Sequence, residues 1–128
     1  MAGIVQNFLW VGIGGAIGSM SRYGIYLLFR HWGWEHFPIG TIAVNITGSI
    51  CIGIFYALAA RNIPVEHIKP FVVIGILGGF TTFSSYISDT FLLIEKNALY
   101  SALIYFVGTL IIGFLGFILG YKFFIKII

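Results

Sequence analysis

Charge is what this chain has least of. Only 9% of its 128 residues are charged, four acidic and seven basic. Soluble domains carry roughly 25%. With 59% hydrophobic residues and a mean hydropathy of +1.03, the composition excludes a water-facing globule and gives an integral membrane protein of one domain. The net charge of +3 is scattered, with no Lys/Arg cluster. That argues against nucleic acid and against a polybasic lipid patch. A single cysteine, Cys51, leaves no internal disulfide and reads as a small buried side chain. His31, His36 and His67 fall in connections without metal-ligand spacing. Ser84, Ser85 and Ser88 share their span with no histidine that could act as a base. No phosphate-binding loop occurs, so the chain is not expected to be an enzyme. The first apolar run lacks a preceding basic region, so no cleaved signal peptide is expected.

What is abundant is apolar sequence in span-sized lengths. A membrane helix needs about 20 such residues. Four segments qualify, at about 4–29, 37–60, 70–94 and 98–121. Trp32 and Trp34 sit in the first connection, as interface anchors do. Pro64 and Pro70 bound the second, and Pro70 suits a first helical turn. Four spans put Arg61, Lys69, Lys122 and Lys126 on one side of the membrane, against Arg30 and Lys96 on the other. This bias favours cytoplasmic termini only weakly. It is compatible with insertion in both orientations or with a modest fixed preference.

One stretch departs from the apolar pattern: Gly75-Ile-Leu-Gly-Gly-Phe-Thr-Thr-Phe-Ser-Ser-Tyr-Ile-Ser-Asp89. Irregular backbone at membrane depth survives only inside protein or beside water or an ion. Gly78-Gly79 removes two side chains where a helix could open, and Thr81-Thr82 follows with hydroxyls able to bond their own backbone. The stretch reads as a broken membrane helix whose freed carbonyls and hydroxyls face a site. The plain alternative is a continuous helix with a small-residue packing face.

Other polar groups at span depth fall in register. Thr41, Asn45 and Gly48 share a face of segment two, and Ser101, Tyr105 and Thr109 repeat at four-residue steps in segment four. An amide in the membrane needs partners. Asn45 either ties helices together or offers its NH₂ to an anion, which an uncharged donor holds loosely enough to release. Arg22 either snorkels to the interface or draws anions into a vestibule. Phe83 and Tyr86, three residues apart, either pack or present ring edges to a desolvated anion. Asp89 is a proton relay, a partner for Arg22, or the polar end of segment three. Gly14-x-x-x-Gly18, Gly75-x-x-x-Gly79 and Gly116-x-x-x-Gly120 supply close-contact faces. In so small a bundle they argue for an oligomer, unless they pack helices within one chain.

Four signatures together identify a resemblance covering essentially all 128 residues. They are Gly14-Gly-Ala-Ile-Gly-Ser-Met-Ser-Arg22-Tyr23, Gly40-Thr41-x-x-Val44-Asn45-x-x-Gly48, Gly75-x-x-Gly78-Gly79-x-Thr81-Thr82-Phe83-Ser84, and Tyr105 in the fourth span. The chain resembles the Fluc (CrcB) family of small fluoride channels. The resemblance implies an all-α fold of four transmembrane helices with the third broken, in an antiparallel dual-topology dimer. It implies two fluoride pathways along the subunit interface. It also implies a central structural sodium ion held by backbone carbonyls, here those of Gly78 and Thr81. The pathway residues that match are Asn45, Phe83, Tyr86, Tyr105, Thr109, Thr41 and the hydroxyls of Thr82 and Ser85, with Arg22 near the vestibule. The implied setting is a prokaryotic inner membrane, where the channel exports fluoride passively. Three positions depart from the family pattern. Tyr86 stands where phenylalanine is usual, Asp89 where glutamate is usual, and Thr109 where serine is common. The tyrosine adds a donor and removes a purely edge-on site. Some members pair unlike subunits, so a paralogous partner is an alternative to a homodimer. Two rival readings are a small multidrug/proton antiporter, which needs a carboxylate deep in a span, and a non-transporting anchor subunit, which leaves the polar faces unexplained.

Overall fold

The computed structural model describes residues 2–128, and all its regular structure is helical, with no strand among the described residues. The order is α1 (Ala2–His31), α2 (Ile39–Ala60), a π-helical stretch (Pro70–Leu77), one turn of α3 (Gly78–Phe80), α4 (Phe83–Glu95) and α5 (Leu99–Ile127). The π-helical stretch was not legible in the sequence, whereas Pro70 does occupy its first turn. Three spans are long and apolar enough to cross a membrane: Ile39–Ala60, Pro70–Glu95 and Leu99–Ile127. At 30 residues, α1 is long enough, about 45 Å at 1.5 Å per residue. Its glycines and its Gln6, Asn7 and Arg22 make it more polar than the other three. The last helix continues past the expected end at 121, carrying Lys122 and Lys126 on its final turns.

Each connection is short and turned by one left-handed residue: Gly33 (φ 82°), Asn62 (φ 57°) and Asn97 (φ 58°). Glycine and asparagine are the residues that tolerate this conformation after a helix end. The end of α2 meets the end of α5, where Arg61 Nη2 donates to the Ile125 carbonyl at 2.6 Å. That places the second connection and the close of α5 at one end of the bundle.

The glycine faces are spent inside the chain. A methyl group added at Gly75 would lie 2.9 Å from Gly14 Cα, and one at Gly79 would lie 2.6 Å from the Gly15 carbonyl oxygen. At Gly18 it would meet the Ile76 carbonyl, and at Gly120 the Ile50 carbonyl. So α1 lies backbone to backbone against segment three, and α5 against α2. This corrects the use of these faces as an argument for an oligomer, because each already has a partner within the chain.

The interior is small. Tyr86, Leu93, Ala102 and Tyr105 form its buried cluster, with Phe37, Ile42 and Phe106 against it. Large apolar side chains instead face outward along α1, α4 and α5, among them Phe8, Met20, Phe91, Leu103, Phe114 and Leu119. In water such a surface is unfavourable, and in lipid it is the expected one. Cys51 is exposed on α2. The expectation of a buried thiol is thus corrected: the α2 face that carries it is not covered by another helix of this chain.

Candidate functional site

The site is built on the interruption of segment three. Thr81 (φ −81°, ψ 159°) and Thr82 (φ −153°, ψ 120°) are both extended. Helix continues up to Phe80 and resumes at Phe83. The break therefore falls on the threonines. Gly78 and Gly79 remain helical, with Gly79 held against α1, which refines the reading that the glycines open the chain.

Each threonine closes one helix. The Thr81 hydroxyl donates to the Leu77 carbonyl at 2.8 Å, beside the Thr81 amide at 3.0 Å. The Thr82 hydroxyl accepts from the Ser85 amide at 3.1 Å and so caps α4. Such a cap contributes about 1 kcal/mol. Between them Asn45, from α2, grips the exposed backbone at both groups. Its Oδ1 accepts from the Thr82 amide at 2.8 Å, and its Nδ2 donates to the Thr82 carbonyl at 3.0 Å.

In an unbroken helix the residue 82 amide would donate to the Gly78 carbonyl, and the residue 85 amide to the Thr81 carbonyl. Here Asn45 takes the first donor and the Thr82 hydroxyl takes the second. Gly78 and Thr81 are thereby deprived of their helical donors. They are the two carbonyls the family resemblance assigns to a cation. Gly48, one turn beyond Asn45, leaves the space the Thr81 methyl fills.

Two cavities flank Asn45. One, of about 360 Å³, is lined by Asn45, Ser49, Gly78, Thr81, Thr82 and Phe83. The other, of about 250 Å³, is lined by Asn45, Ser49, Phe83, Tyr86 and Thr109. Asn45, Ser49 and Phe83 belong to both. Ser49 was missed in the sequence, although its spacing of four from Asn45 puts it on the same face. Its hydroxyl donates back to the Asn45 carbonyl at 2.8 Å. The Thr109 side chain is buried, and its hydroxyl has no hydrogen-bond partner among the described residues. An unpartnered buried hydroxyl is costly, and this one lines a cavity.

The two aromatics differ. Phe83 is 72% exposed and Tyr86 is 2% exposed. Their rings lie 5.8 Å apart, tilted by 44°. Tyr86 stacks on Phe106 at 5.2 Å and 15°, and its hydroxyl donates to the Phe106 carbonyl at 2.5 Å. The donor that the tyrosine adds is thus already committed within the chain.

A third cavity, of about 520 Å³, opens beyond α4 beside Tyr26, Arg30, Thr41, Ser85, Ser88 and Asp89. Asp89 Oδ2 accepts from the Thr41 hydroxyl at 2.6 Å and the Tyr105 hydroxyl at 3.2 Å. Tyr105 is almost wholly buried and packs edge-on against Phe37 at 5.9 Å. Asp89 is therefore the acceptor of a hydroxyl network and has no ion pair with Arg22 among the described residues. Arg22 itself is half-buried on α1, outside the residues that line these three cavities. Thr41, Asn45, Thr82, Phe83, Ser85, Tyr86, Tyr105 and Thr109 thus gather along one face of α2, α4 and α5, and Arg22 does not join them.

Comparison with known proteins gives the family of the chain. The family model described as CrcB-like protein, Camphor Resistance (CrcB), matches residues 9–121. A Helicobacter pylori (strain P12) protein named fluoride-specific ion channel FluC is 43% identical over 116 residues, 89% of each chain. Its namesake in Helicobacter acinonychis (strain Sheeba) is 42% identical over 116 residues, covering 89% of this chain and 91% of that protein. The one in Paracoccus denitrificans (strain Pd 1222) is 41% identical over 115 residues, covering 90% and 91%. With its signatures, its broken third segment and relatives of this closeness, the chain belongs to the CrcB-like family.

Proposed function

We propose that this protein is a fluoride-selective channel of the cell membrane, passive and not an enzyme. The observation that carries the reading is the row of neutral donors and aromatic edges around Asn45, with the unpartnered Thr109 hydroxyl among them. Bare fluoride in lipid is prohibitively costly, so its hydration shell must be replaced by donors along a narrow route. Asn45 keeps one Nδ2 hydrogen after serving Thr82. Thr109 has its hydroxyl hydrogen to give, and Phe83 offers ring edge. None of these carries full charge, so the anion is held without being trapped. Relatives named fluoride-specific ion channels support the choice of ion.

The route requires a second copy. Phe83 and the lips of the two smaller cavities lie on an open face of a chain whose other surfaces suit lipid. A polar, irregular segment turned to hydrocarbon is untenable. An antiparallel homodimer, or a pair with a paralogous subunit, covers it and makes two equivalent pathways. In that reading α1 is a fourth span, and the vestibule at Asp89, Thr41 and Ser85 feeds each route.

A structural sodium ion fits the donor set. Hard cations take oxygen ligands, backbone carbonyls among them, and Gly78 and Thr81 are carbonyls relieved of their helical donors. Bound there, sodium would supply positive charge that holds two helix breaks together. Asn45 and the Thr82 cap keep those carbonyls bare.

The test is to reconstitute this single polypeptide in fluoride-loaded liposomes with a fluoride electrode outside. Rapid fluoride release, with chloride retained in a matched experiment, is the expected result. Retention of both ions would contradict the reading.

A further inference from the structure

Several hydroxyls in segments one to three turn back on their own backbone. Ser19, Ser21, Ser49, Thr81, Ser88 and Thr90 each donate to a carbonyl three or four residues earlier. This is the ordinary resting place for a helical serine or threonine. Thr109 is buried and does not do so. Its four-back carbonyl, on Tyr105, does not receive it. Its three-back carbonyl is that of Phe106. A carbonyl has two lone pairs. One of Phe106's serves the regular α5 ladder, and the other receives the Tyr86 hydroxyl at 2.5 Å.

We propose that Tyr86 is a positioning residue: its hydroxyl fills the Phe106 carbonyl and so leaves the Thr109 hydroxyl hydrogen free for the anion. The inference rests on the fluoride-channel reading above. It gives the tyrosine in this chain a role that a phenylalanine cannot perform. Tyr86 contributes no donor to the cavity, since its own hydrogen is used and its ring is stacked on Phe106 at 15°. What it contributes is the availability of a neighbour's. Without it, the Phe106 carbonyl becomes a competitor for the Thr109 hydroxyl. The donor is then drawn back to the helix, as in the six cases above.

A double-mutant cycle in liposomes separates this from simple packing. Tyr86→Phe keeps the ring and its stacking, and Thr109→Val keeps the side-chain shape. Loss of one uncharged hydrogen bond corresponds to about a fivefold change. Each single variant is expected to slow fluoride release by about that factor, and the double variant is expected to be no slower than Thr109→Val alone. Thr109→Ser, which keeps the hydroxyl, is expected to remain sensitive to Tyr86→Phe, and it serves if the valine variant fails to fold. Three outcomes overturn the proposal: unchanged flux in Tyr86→Phe, unchanged flux in Thr109→Val, or single effects that multiply in the double variant. Absence of fluoride flux through the unsubstituted protein is a different failure, because it removes the channel reading itself and this inference with it.

Discussion

Asn45→Asp is expected to abolish fluoride release from liposomes while the protein still reaches the membrane. Two effects act together. The carboxylate can still accept from the Thr82 amide, as Oδ1 does now at 2.8 Å. It cannot donate to the Thr82 carbonyl, which Nδ2 now holds at 3.0 Å. Two oxygens are then set against each other at the break. The second effect is larger. A fixed negative charge would stand between the two cavities that flank Asn45. Two like unit charges about 4 Å apart repel by about 4 kcal/mol at an effective dielectric near 20. That corresponds to roughly a thousandfold fall in anion occupancy. Flux through Asn45→Asp indistinguishable from the unsubstituted protein would show that no anion passes Asn45.

The second large effect falls on the fold. Gly18→Ala is expected to lower folded yield and thermal midpoint sharply. The added methyl would meet the Ile76 carbonyl oxygen and lie 2.8 Å from the Phe80 amide nitrogen. Both are backbone atoms and cannot turn aside as a flexible side chain would. Either α1 retreats from segment three or the turn before the break shifts. Overpacking of this kind costs about 1–3 kcal/mol, and more where backbone must move. Gly24→Ala is the matched control, because nothing in the chain lies within 4 Å of its added methyl. In an open helical position that change gains up to about 1 kcal/mol. The two variants make the same chemical change on the same helix, so detergent-solubilised melting curves compare them directly. Equal melting would contradict backbone contact between α1 and segment three.

Much of this was legible in the sequence, for identifiable reasons. The helices fall close to where the long, charge-poor segments put them. The interruption of segment three was suggested by hydroxyls clustering after two glycines at membrane depth, although a continuous helix with a small-residue face read as the alternative. The position of the break was less legible. Gly78-Gly79 reads equally as an opening and as a contact face, and only the approach of Gly15 to Gly79 decides for contact. Thr81 and Thr82 carry the break instead, because each can satisfy a helix end with its own hydroxyl.

The glycine faces show the limit in another way. Spacing reveals that a helix can be approached closely, but not by whom. Here segment three answers for the α1 motif, α1 for the motif on segment three, and α2 for the one on α5. Phe83 and Tyr86 show it again: residues three apart lie side by side on a helix, yet one ring is 72% exposed and the other 2%. The difference comes from Phe106 on α5, a partner 20 residues away that no local pattern announces. Asn45 was visible as an amide needing partners. That it meets both backbone groups of Thr82, rather than a side chain, depended on two extended residues being opposite it.

Everything proposed here depends on segment three being extended at Thr81 and Thr82 with helix on either side. Carbon-13 chemical shifts of the isotope-labelled protein in lipid bilayers test that directly. The account predicts extended-chain shifts at Thr81 and Thr82 and helical shifts at Gly79, Phe80, Ser84 and Ser85. Helical shifts running unbroken from Gly79 to Ser85 would contradict it, because Gly78 and Thr81 would then keep their helical donors and Asn45 would have no exposed backbone to grip.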